Sequence, residues 1–195
     1  MPPKQKYTKE EMIAAAVEII RKNGREGLTA RGLGEELGSS SRPVFTVFRN
    51  MEEVYQETVN AVKGIYNGYI QEGLSKEPAF EGVGIQYIRF AREEPNLFKL
   101  LFMTGGEISP RLPDVLSVID ENSSRILEAV RKEYGMDEEN SRRLYQCLWI
   151  FTHGIATLCA NGVCRFTEPE IGGMLTDVCG GMLIKLGGVR RRKDD

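Results

Sequence analysis

The stretch TARGLGEELGSSSRPVFTVF, residues 29–48, carries the reading that decides the fold. Thr29 opens it with a hydroxyl suited to cap a helix start. Leu33 and Leu37 then fall four apart on one helical face, and Gly38 ends the run. Ser39, Ser40 and Ser41 lead into a second short segment from Arg42 to Phe48, where Val44 and Phe48 again share a face. Pro43 is tolerated there only in the first turn, where its missing N–H costs nothing. Two short helices joined by a tight glycine-containing turn predict a helix-turn-helix. Gly34 supplies the small bulk needed where the two helices touch.

The flanks extend the helical pattern. Thr8 and Glu11 form a capping box, and Ile13, Ala16, Val17 and Ile20 recur at helical spacing until Asn23-Gly24 stops them. Met51-Glu52-Glu53 opens a fourth helix that runs to about Ser75. Further helices are predicted over 80–94, 95–103, 112–134, 137–161 and 168–186, with breaks at glycines and prolines between them. No alternating strand pattern competes. The expected fold is all-α with about nine helices: an N-terminal three-helix helix-turn-helix domain over residues 1–52, then a C-terminal helical bundle over 53–195.

Charge separates the two parts more than the net value of −2 suggests. Residues 1–50 hold nine Lys/Arg against six Glu, whereas the rest holds 17 basic against 22 acidic residues. A basic head on an acidic body places phosphate binding at one end only. The N-terminal Met-Pro-Pro-Lys-Gln-Lys lacks the apolar core of a secretory signal. Cys147, Cys159, Cys164 and Cys179 show no two-residue pairing, so buried thiols in a reducing cytoplasm are expected, with no metal and no cofactor. Residues 144–164 contain no charge, but Gln146, Thr152, His153, Thr157 and Asn161 are costly in lipid. A protein–protein seam accounts for that stretch better than a membrane. One histidine, no phosphate-cradling loop and no nucleophile elbow argue against an enzyme.

A major groove about 12 Å wide accepts one helix face, provided apolar residues turn inward and small or polar ones outward. Leu33, Leu37, Val44 and Phe48 supply the inward set. Ser39, Ser40 and Ser41 can offer hydroxyls and N–H groups to phosphate or base edges, and Arg42 is the candidate for a two-bond guanine contact. Double-stranded DNA is then the expected partner. A helical cap with a merely solvated basic face fits the same residues.

From Thr8 to Val54 the chain resembles the N-terminal domain of the tetracycline-repressor family. The landmarks are Asn23-Gly24, Thr29, Gly38, Phe45 and Phe48, followed by Asn50-Met51-Glu52-Glu53-Val54. Phe45-Thr46-Val47-Phe48 stands where the family usually has Tyr-x-His-Phe, and Met51 replaces a common Lys. The resemblance implies a transcriptional regulator with contacts at Thr29, Pro43 and Phe45 beside Ser39–Arg42; the family's Tyr, His and Lys touch the DNA backbone, and Arg49, Arg31, Lys6 and Thr46 are the candidates to replace those contacts here. It implies a homodimer on a palindromic operator, with reading helices about 34–36 Å apart. A helical dimeric binding or adaptor protein without operator specificity is the alternative.

Two body stretches extend the resemblance: residues 87–102, YIRFAREEPNLFKLLF, and Trp149-Ile150-Phe151-Thr152-His153-Gly154, which is similar to a Trp-x-x-x-His-Gly motif in one branch of these regulators. The family implies a seam formed by the last two long helices and repression relieved by a small hydrophobic or aromatic effector. Tyr66, Tyr87, Phe98, Phe102, Met103, Tyr145, Trp149 and His153 are the candidate pocket residues. Plain core packing is the better reading for any one of them, and His153 reads as a satisfied packing residue more readily than as a ligand contact.

Overall fold

The computed structural model describes residues 7–104, 114, 116 and 120–188. Nine α-helices have their bounds among these residues, and no strand occurs among them. They are α1 (Lys9–Asn23), α2 (Ala30–Glu36), α3 (Val44–Val47), α4 (Met51–Leu74), α5 (Ala79–Glu93), α6 (Pro95–Phe102), α7 (Ser123–Tyr134), α8 (Glu138–Ala160) and α9 (Glu168–Leu186). The fold is all-α.

Most helix starts carry the caps their sequence announces. Thr8 and Glu11 make the reciprocal capping box of α1, and Thr29 Oγ1 accepts from Gly32 N at 3.0 Å at the start of α2. Asp137 caps α8, and Thr167 with Glu170 caps α9. Two segments differ from expectation. The segment predicted over 42–48 narrows to the single turn Val44–Val47, because Ser41, Arg42 and Pro43 form a turn ahead of it. The helix predicted over 112–134 is broken at Asp120. There Asp120 Oδ1 accepts from Asn122 N at 2.7 Å, and the local side-chain bond replaces the helical ladder.

The chain packs as two compact units. The first takes in Met1–Tyr66 and Glu94–Thr104. Met12, Ala16, Ile19, Leu33, Val44, Phe48 and Val54 form its helix-turn-helix core, with Leu37 and Met51 packed against it. Helix α6 joins this unit at the end of α1: Arg21 Nε donates to Glu94 Oε2 at 2.7 Å and Asn96 Nδ2 to the Arg21 carbonyl at 2.9 Å. The second unit takes in Asn67–Glu93 and Gly105–Asp195, in which α5, α7, α8 and α9 pack on one another. Phe80 sits edge-on to Tyr134 and Tyr145 in its interior. Its α4 and α5 segments meet backbone to backbone. A Cβ on Gly73 would lie 2.7 Å from Val83 Cα, and one on Gly82 would lie 2.5 Å from the Gly73 carbonyl oxygen.

No helix among the described residues is long and apolar enough to cross a membrane. The four cysteines form no disulfide, and no group of three or more His, Cys, Asp or Glu among the described residues is placed to hold a metal.

Candidate nucleic-acid interface and effector region

The turn between α2 and α3 is closed by three backbone bonds. Leu37 N reaches Leu33 O, Gly38 N reaches Glu35 O, and Ser39 N reaches Gly34 O at 2.8 Å. Gly38 adopts φ +61°, the left-handed conformation that closes this type of helix end without a Cβ penalty. Tyr7 Oη donates to the Leu37 carbonyl and ties the entry of α1 to the same corner. Gly34 then lets the chain at Ser40-Ser41 lie directly on α2.

This geometry sorts α3 and its flanks into two faces. Val44 and Phe48 turn inward, 0% and 2% exposed. Arg42, Phe45, Thr46 and Arg49 are exposed: Phe45 and Thr46 on the α3 turn, Arg42 in the turn ahead of it, and Arg49 just beyond Phe48, whose backbone is extended. Thr29, Arg31 and Ser40 are exposed as well, whereas Ser39, Ser41 and Pro43 are half-buried in the corner. Lys6 lies outside the described residues.

The three arginines differ in what already holds them. Arg31 Nε pairs with Glu35 at 2.8 Å, and Arg49 Nε pairs with Glu53 at 3.1 Å. Glu53 also accepts the backbone N–H of Arg49, and that bond first, then the guanidinium, holds its carboxyl below the usual range. Arg42 has no ion pair among the described residues, so its guanidinium is the uncommitted donor of the set. Sequence reasoning missed the device that sets Arg49. Asn50 Oδ1 accepts from Glu53 N at 2.9 Å while Glu53 reaches back to Arg49 N, a box at the start of α4. Its signal was present as Asn50-x-x-Glu53. Met51 is half-buried against the core of the first unit.

The candidate pocket residues divide between the two units. In the first, Tyr66 and Phe98 are buried, Phe102 lies between them with ring centroids 5.1 Å from each, and Met103 is 42% exposed. In the second, Tyr87 and Tyr145 are buried. Tyr87 Oη and His153 Nδ1 share a hydrogen bond at 2.9 Å, and Trp149 stacks on the imidazole at 5.2 Å. Burial, then the Asp120 carboxylate, pushes the Tyr87 hydroxyl far above its usual range, so it stays protonated. The same two causes raise Tyr145.

Burial alone lowers His153 from its ordinary 6.5. The neutral ring therefore contributes stability in full above the unfolded value, and that contribution is lost as pH falls through the lower folded value. The stability difference between wild type and His153→Gln is accordingly expected to shrink from about pH 7 to about pH 5 in urea titrations. A constant difference would show that the ring titrates normally.

Helices α8 and α9 of the second unit also expose apolar surface. Ile150, Gly154 and Leu158 follow one another at four-residue spacing on α8, and Ile184 is 86% exposed on α9. A Cβ on Gly172, Gly173, Gly180 or Gly181 would meet nothing within 4 Å, so these glycines leave α9 low and open.

Residues 80–175 match the family described as tetracyclin repressor-like, C-terminal domain. No curated protein matches the sequence. Among solved structures, the chain is similar to a transcriptional regulator from Rhodococcus sp. Rha1, with TM-score 0.59 and 16% identity over 93% of this chain and 98% of that one. It is similar to a TetR variant from Acinetobacter baumannii AYE in complex with minocycline, with TM-score 0.56 and 15% identity over 93% and 99% of the two chains. The fatty acid degradation regulator FadR from Bacillus halodurans gives TM-score 0.55 and 17% identity over 97% and 100%. Residues 80–175 are thus similar to that C-terminal domain, and the chain shares the fold of these solved proteins.

Proposed function

We propose that this chain is a DNA-binding transcriptional regulator, a repressor released by a small hydrophobic or aromatic effector. The observation that carries the reading is the exposed set Arg42, Phe45, Thr46 and Arg49, on and beside a helical turn that Val44 and Phe48 lock into the core. The serines before it and Thr29 and Arg31 on α2 extend this surface toward the phosphate backbone. Residues 1–52 read DNA, and residues 53–195 bind the effector and dimerise. This border divides roles and not packing, since α6 packs with the head.

Two copies joined through the exposed faces of α8 and α9 present paired reading heads to a palindromic operator in the cytoplasm, at the nucleoid. The aromatic sets around Phe98 and around Tyr87, Trp149 and His153 supply the apolar surface and the few polar groups that effector recognition needs. A relative solved with minocycline supports a small-molecule effector. The effector acts by favouring a dimer whose heads no longer match successive major grooves.

The test begins with selection of duplexes from a random pool by the full-length protein. A short palindrome with steeply salt-dependent affinity is expected. Arg42→Ala should then cost about 1–3 kcal/mol in operator binding and relax specificity at one base pair. Unchanged affinity and an unchanged footprint would remove Arg42 from the readout, and failure to select any duplex would sink the regulatory reading.

A further inference from the structure

The exposed set has one member that phosphate contacts and hydrogen bonds do not use. Phe45 leaves 49% of its surface exposed, although its neighbours Val44 and Phe48 are almost wholly buried. In the first compact unit only Phe45 and Met103 are large exposed hydrophobics among the described residues. Keeping a phenyl ring in water costs roughly 25 cal/mol for each Å² that burial would remove, so a working occupant is worth seeking. The ring has no donor and no charge to offer a phosphate. Its surroundings in the chain are basic even so, with exposed Arg42 three residues before it and exposed Arg49 four after it.

One group on the major-groove base edges is apolar, the C5-methyl of thymine. Thr46 points to the same chemistry. Its hydroxyl donates to the Pro43 carbonyl at 2.6 Å, which satisfies the donor within the chain and leaves its methyl as the free end. Phe45 and Thr46 are consecutive exposed residues of α3, with exposed arginines before and after them in the chain.

We propose that Phe45, assisted by the Thr46 methyl, reads thymine through its C5-methyl group. It is a specificity-determining residue, not a grip on the sugar-phosphate backbone. This inference rests on the DNA-binding reading above and deepens it.

Deoxyuridine replaces thymine with the loss of that methyl alone, which makes the test direct. Duplexes selected by the full-length protein are resynthesised with each thymine exchanged in turn for deoxyuridine. Wild-type affinity should fall about threefold to tenfold at one or two positions in each half-site. Phe45→Ala should respond less than about twofold at those same positions, since the partner of the methyl is already gone. Because Phe45 lies outside the core, the variant should keep the wild-type circular dichroism and urea midpoint; the wild-type arm stands without it in any case. Insensitivity of the wild type to every exchange, or the same loss in both proteins, overturns the assignment. An equal loss accompanied by altered self-association of Phe45→Ala overturns it in favour of a protein contact. A selection that returns no duplex at all fails earlier, and brings down the DNA-binding reading itself.

Discussion

Gly34→Ala should lower both the stability of the first unit and its affinity for the selected duplex. Helix propensity alone argues the other way, since Ala is favoured over Gly inside a helix by about 1 kcal/mol. Close packing opposes that gain. The added Cβ would lie 2.7 Å from the Ser40 carbonyl carbon, 2.8 Å from Ser41 N and 2.9 Å from the Ser40 oxygen. All three are backbone atoms, so no rotamer change relieves the contact. Overpacking of this kind costs about 1–3 kcal/mol, enough to cancel the propensity gain and exceed it. Relief requires the 39–41 corner to lift from α2, and α3 moves with it. We therefore expect a lower urea midpoint and at least tenfold weaker binding, about 1.4 kcal/mol. A midpoint equal to or above wild type would show that the corner yields freely.

The second large effect is expected in the other unit. Gly73 and Gly82 occupy one crossing from opposite sides, and either Cβ would strike backbone: Val83 Cα at 2.7 Å or the Gly73 carbonyl oxygen at 2.5 Å. Each alanine substitution should destabilise by about 1–3 kcal/mol. The double substitution should cost less than the sum, because the first already forces the helices apart. Gly64 and Gly68 provide the contrast within the same helix, since a Cβ on either meets nothing within 4 Å. There the propensity term acts alone, and alanine should stabilise by up to about 1 kcal/mol. Opposite signs for Gly73→Ala and Gly68→Ala in urea unfolding are the decisive outcome. Matching signs would mean that the crossing is not tight.

This contrast marks what a linear reading can and cannot extract. Thr8, Thr29, Gly38 and the period of Leu33, Leu37, Val44 and Phe48 act on neighbours within one or two turns, so their roles were legible from spacing. The turn at Asp120 obeys equally local chemistry and shortens a helix that periodicity alone extends. The distinction among Gly64, Gly68, Gly73 and Gly82 depends on which helix lies opposite, and nothing in their immediate sequence encodes it. The same limit applies to the aromatic residues. Periodicity assigns Tyr87 and Phe98 to buried faces, but a buried face looks alike whether it meets another side chain or a ligand. At the candidate interface, Arg31, Arg42 and Arg49 stand out in the sequence as basic residues, whereas their different engagement with Glu35 and Glu53 needs coordinates.

Under the proposed function, that difference in engagement bears on how the protein would find its target in a genome. An arginine already holding a carboxylate gains from phosphate only what exceeds the bond it gives up. Under the proposed DNA-binding function, Arg31 and Arg49 would then add less general attraction toward bulk DNA than unpaired guanidinium groups, and Arg42 would be the one open to a guanine. With fewer net counterions released at random sites, residence on the wrong sequence would be short. On that reading the internal carboxylates would serve as placeholders that keep the search mobile until a matching site outcompetes them.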